Sequence, residues 1–166
     1  MTKYRFSRFA LLFAASVLLT VSVASAAGPY QFFSVTPCRI ADTRGNGFSG
    51  LSGPPALPAG SPRNFPVLGL CGLPSDAKAI AFNVTAVSPT LEGFLKIWPY
   101  NTSQPNVSTL NFQAGEPAIA NGAIVPTCVG ATTCTPDPTF QISVVYGTAV
   151  AGGNINLILD VTGFFK

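Results

Sequence analysis

The chain has 166 residues, with 9 Lys and Arg against 6 Asp and Glu, 4 cysteines, 16 glycines, 15 prolines and no histidine. Without histidine there is no Ser-His-Asp or Cys-His catalytic unit and no His-ligated metal. A chain this long is the usual size of one domain.

Residues 1–26 read as an export signal. Lys3, Arg5 and Arg8 precede an uncharged apolar run from Ala10 to Val23, and Ala24-Ser25-Ala26 closes it as a small-x-small cleavage site. That order is the pattern of a secretory signal peptide, expected as a helix. The run of 14 residues falls short of the roughly 20 needed to span a bilayer. Position 27 is alanine rather than the cysteine of a lipoprotein. The expectation is an exported product of residues 27–166, secreted or held at the cell surface, with no membrane span once the signal is removed. Its charges balance at 6 basic and 6 acidic, because the +3 of the whole chain comes from Lys3, Arg5 and Arg8. A neutral surface lacks the basic density that nucleic-acid binding requires. It also lacks the repulsion that keeps molecules apart.

Beyond the signal, glycine and proline interrupt every apolar run before a helical period establishes itself, and short β-rich runs between turn residues point to a sandwich. Gln31 to Val35 is the first predicted strand. A Pro/Gly-rich crossover from Gly45 to Pro62 leads to the second, Arg63 to Leu68. Lys78 to Val87 alternates, with Ile80, Phe82, Val84 and Ala86 on one face and Asn83 and Thr85 on the other. Gly93 to Tyr100 sets Leu95 and Ile97 against Phe94, Lys96, Trp98 and Tyr100, and Ser108 to Phe112 follows. In Ala118 to Val125 the pair Asn121-Gly122 between apolar flanks reads as a type I′ hairpin turn. Thr139 to Tyr146 puts Phe140, Ile142, Val144 and Tyr146 in phase. Asn154 to Phe164 puts Ile155, Leu157, Leu159 and Val161 inward, with Asn154, Asn156 and Asp160 outward. The predicted fold is all-β: a single antiparallel sandwich of about eight strands, Greek-key or jelly-roll-like.

Cys38, Cys71, Cys128 and Cys134 make an even set in an exported chain, where disulfides are the default. Four cysteines allow three pairings; Cys38–Cys71 and Cys128–Cys134 are favoured, and the others remain open. The spacings hold no C-x-x-C, so no zinc site, metal or cofactor is expected.

Thr36-Pro37-Cys38-Arg39-Ile40-Ala41-Asp42-Thr43-Arg44 resembles the opening of a bacterial extracellular β-module that recurs in secreted and surface proteins. Asn83-Val84-Thr85, Leu110-Asn111-Phe112-Gln113-Ala114-Gly115 and the closing Asp160-Val161-Thr162-Gly163-Phe164-Phe165 fit the same pattern. The resemblance implies an extracellular β-domain and carries no catalytic residue with it.

Two residue groups invite a functional reading. Asp42 and Asp160 have the composition of a glycosidase acid pair. Arg39 and Arg44 beside them favour structural ion pairs instead, which would hold both aspartates ionised and tie the first strand to the last. Phe94, Trp98 and Tyr100, with Asn101, form an aromatic stripe open to three readings: core, protein interface or sugar-stacking surface. The expected function is therefore non-enzymatic: a secreted structural or interaction module, a surface, matrix or filament subunit assembling by edge-strand or face packing. Candidate edges are Ala27 to Val35 and Asn154 to Phe165. The expected partner is protein, a second copy or a cell-surface molecule. A carbohydrate-binding module on Trp98 and Tyr100 is the alternative, and a carboxylate glycoside hydrolase comes third.

Overall fold

In the computed structural model, residues 29–129 and 134–166 are described; the expected signal lies outside them. Nine strands form two sheets, and no α-helix occurs among the described residues. The strands are β1 (Phe32–Asp42), β2 (Leu57–Pro58), β3 (Arg63–Phe65), β4 (Ala79–Val87), β5 (Gly93–Pro99), β6 (Leu110–Phe112), β7 (Ala118–Pro126), β8 (Ile142–Gly147) and β9 (Asn154–Phe165). One sheet runs β1-β9-β4-β7, with β2 added against β9, and the other runs β3-β8-β5-β6. Every strand pairing in both sheets is antiparallel. All-β and sandwich are as the sequence predicts.

The alternation of β4 and β9 builds the core. Ile80, Val84, Ala86, Ile155, Leu157, Leu159 and Val161 are fully buried, and from the other sheet Leu95, Ile142, Val144 and Tyr146 meet them. Burying one such aliphatic side chain contributes about 1.5–3 kcal/mol. Tyr146 brings a polar atom inside, and its hydroxyl donates to the Leu91 carbonyl at 3.0 Å; burial raises its pKa.

Three strand boundaries differ by three residues or more from the sequence reading and one predicted turn is absent, each for a local reason. β1 continues past Val35 to Asp42 because Pro37 sits in a register shift between Ser34 and Cys38, where the missing N–H costs no ladder bond. β3 stops at Phe65, since the Val67 and Leu68 amides donate to the Gln141 side-chain oxygen at 2.7 and 3.0 Å. β8 starts at Ile142 rather than Thr139, because the Asp137 carboxylate accepts from the Thr139 and Phe140 amides and holds a turn. Asn121-Gly122 is not a hairpin turn. Neither residue has the positive φ that a type I′ turn requires, and β7 pairs with β4 through nine consecutive residues.

The Gly45 to Pro62 segment is the predicted crossover between sheets, and Arg63 gives it shape. The Arg63 guanidinium donates to the carbonyls of Pro55, Gly50, Leu51 and Gly53 at 2.6–3.1 Å and lies 5.2 Å from the Phe65 ring centre. A lysine ammonium cannot span four carbonyls with that fork. Arg63→Lys is therefore expected to cost about 1–3 kcal/mol in urea unfolding and to expose the 45–62 segment to limited proteolysis. Unchanged cleavage would contradict this account.

Candidate functional site

The charged residues picked out in the sequence converge where β1 meets β9. Arg39 pairs in register with Asp160, and its guanidinium binds that carboxylate bidentately at 2.7 and 3.2 Å. The same group reaches Asp42 at 3.2 Å. Asp42 is fully buried and also accepts from Arg44 Nε and Nη2 at 2.9 and 2.6 Å, the Arg44 amide at 3.1 Å and Asn46 Nδ2 at 3.1 Å. Those partners, Arg44 first, hold its carboxyl well below the usual carboxylate range, against the opposing effect of burial. A carboxyl so held keeps no proton to give as a general acid. The strand-pinning ion pairs are present as expected. Next to them Pro37, Cys38, Arg39, Asn83, Asp160 and Thr162 line an open trough of about 710 Å³ on the outer face of the sheet.

The aromatic stripe is not one surface. Trp98 is only 6 % exposed; its indole N–H donates to the Thr102 carbonyl at 3.3 Å. Lys96 likewise reaches the Pro105 carbonyl at 2.9 Å. The loop after β5 thus folds back over the strand's outward face, a cover that alternation within the strand does not reveal. Tyr100 packs edge-on to Phe140 with ring centres 5.4 Å apart, and Asn101 donates to the Thr135 carbonyl at 3.4 Å. Phe94 lies at the other end of β5, beneath the Lys96 ammonium at 5.3 Å. Of the three readings left open for the stripe, Trp98 takes that of core beneath a loop.

Phe94 belongs to a cleft the sequence does not announce. Glu92, Phe94, Asn111, Gln113, Glu116 and Thr148 line a volume of about 440 Å³ at the end of the sandwich. They come from the β4–β5, β6–β7 and β8–β9 ends, which only the sheet order brings together. Asp42 and Asp160 are paired with arginines and Asp76 with Lys166, while Asp137 caps its own turn. The two remaining carboxylates of the described residues, Glu92 and Glu116, both face this cleft. Glu116 Oε2 is buried without a hydrogen-bond partner. Such a lining offers acceptors to N–H and O–H donors. Among the described residues no three His, Cys, Asp or Glu side chains gather as metal ligands.

The sheet edges complete the picture. Asn154–Phe165 lies inside its sheet, paired with β1 on one side and β4 on the other, so the sequence-based proposal of it as an edge donor is corrected. β1 is an edge, interrupted by two register shifts and tied by the Cys38–Cys71 disulfide. Its first residues, with Tyr30 before them, carry exposed aromatics: Phe32 packs at a tilt against Phe165 with ring centres 5.1 Å apart, and Phe33 stacks on Phe164. A side chain at Gly163 would run into the Phe32 ring, so glycine there is what lets the aromatic lie flat. β7 is the opposite edge. It has no charged residue and no proline before its last position, and Ile124 on it is 64 % exposed.

The cysteines pair as favoured, Cys38 with Cys71 and Cys128 with Cys134. No helix among the described residues is long and apolar enough to cross a membrane. The fold and these features define a disulfide-linked, all-β sandwich domain. No protein-family model matches the chain, and neither does any curated protein or solved structure.

Proposed function

We propose that this domain is a non-catalytic module, exported through its N-terminal segment, that works by packing edge to edge against copies of itself in a surface layer, matrix or filament. The observation that carries the reading is β7: a regular, uncharged edge strand of nine residues, six of them exposed. Proteins that stay apart blunt such edges with lysine, proline, bulges or a covering loop. The zero net charge of residues 27–166 removes a further obstacle to contact, and the resemblance to bacterial extracellular β-modules supports the same setting. The glycan-binding alternative leaned on an outward Trp98, whose ring lies under its own loop. The hydrolase reading needs a protonated acid, and Asp42 is held ionised by arginines.

The test is molar mass by light scattering across a concentration series, on protein purified after export of the full chain. Mass rising with concentration is expected. A monomer throughout the series overturns the reading.

A further inference from the structure

Gly122 stands in the middle of β7, in ordinary extended conformation, with no register shift between β7 and β4. A Cβ at this position would meet nothing closer than the Phe82 carbonyl oxygen at 4.0 Å. The chain's own fold therefore has no need of glycine here. Yet glycine weakens a strand, and where no bulge or bend explains it, it marks close approach by another backbone or ligand. The position is also the midpoint of the strand. About it, the exposed outer-face residues fall into reciprocal pairs of small against large, with Ala120 matching Ile124 and Ala118 matching Pro126.

We infer that β7 pairs antiparallel with β7 of a second copy across a two-fold axis at Gly122, joining two sandwiches edge to edge into one continuous sheet. The inference rests on the self-packing reading and names its partner and register. A strand that faces itself must carry no charge that would meet its like, and β7 carries none. Each protruding Ile124, 64 % exposed in the single chain, finds the small Ala120 of the other copy opposite it. Gly122 meets Gly122 on the axis. The other long edge, β1, bears Arg39 and Asp42 and is shifted twice; the remaining edge strands are short, two residues in β2 and three each in β3 and β6. Across β7's inner face, Asn121 is already engaged, donating to the Thr109 carbonyl at 2.7 Å, so the edge is held in place before a partner arrives. An isologous contact of this kind closes at two molecules by itself, and a layer or filament takes a second contact elsewhere on the dimer.

Sedimentation equilibrium of the protein exported as a full chain tests this with two double variants at exposed positions, their folding verified by circular dichroism. The unaltered protein is expected to dimerise. Ala120→Lys with Ile124→Lys sets ammonium groups against each other across the axis, and the dimer should weaken at least tenfold. Ala120→Glu with Ile124→Lys sets carboxylate against ammonium in the same register, and the dimer should return. A dimer untouched by the first variant, or a second variant as weak as the first, overturns the inference while leaving self-packing in place. A monomer at every concentration overturns both.

Discussion

Asp42→Asn is expected to lower the unfolding free energy by about 2–4 kcal/mol at neutral pH, more than any other single change at the β1–β9 junction. The carboxylate is fully buried and accepts from Arg39, Arg44, Asn46 and the Arg44 amide. Asparagine keeps the shape but removes the charge and turns an N–H towards a guanidinium. Breaking a buried pair typically costs about 3–5 kcal/mol because the partner is left uncompensated. Here the Arg39 and Arg44 side chains keep 38 % and 35 % exposure, so water compensates them in part and the lower figure applies. The effect has a pH signature. Because the folded-state pKa of Asp42 is depressed, its contribution is fully present above the unfolded value, near 3.9, and is lost as pH falls through the lower folded value. The difference between the native protein and Asp42→Asn should therefore shrink below about pH 4. Urea midpoints measured from pH 7 to pH 2 decide it; parallel curves would mean the cluster stabilises by packing alone.

The same junction shows how far sequence reasoning reaches. Arg39, Asp42, Arg44 and Asp160 were legible as ion pairs because a chain so poor in charge leaves few partners for each, and because the two ends of an antiparallel sandwich commonly meet. β4 and β9 were legible because period-two alternation over ten residues has only one burial solution. What failed has a common cause, in that local signals were overridden by contacts distant in sequence. The first strand looked complete at Val35, yet β1 carries Pro37 in a register shift against β9 and runs on to Asp42. Asn121-Gly122 looked like a turn, yet nine pairings with β4 keep it extended. Alternation left Trp98 open between core, interface and sugar surface, and only the loop that follows it, which roofs its face, decides for core. Glu92 and Glu116 lie 24 residues apart with no motif between them, and only the adjacency of strand ends shows that they share a cleft.

Removing the Cys38–Cys71 disulfide by a double serine substitution is the second large effect expected, about 3–4 kcal/mol. The bond links residues separated by 33 positions, whereas Cys128–Cys134 links residues only 6 apart. On the chain-entropy account the longer closure restricts the unfolded chain more, and the shorter one contributes about 2 kcal/mol. The native state sharpens the contrast. Cys38 follows the register shift at Pro37, where β1 has lost part of its ladder to β9, and the bond to Cys71 holds that stretch against the segment between β3 and β4. The order of the two effects is thus fixed by topology: Cys38→Ser with Cys71→Ser should lower the urea midpoint more than Cys128→Ser with Cys134→Ser. Equal losses, or the reverse order, would show that strain or residual unfolded structure outweighs loop closure. Cys38 lies on β1, at the opposite edge of the sheet from β7, which hydrogen-bonds to β4. A variant lacking Cys38–Cys71 should therefore unfold more easily and still, while folded, show the association through β7 proposed for the native protein.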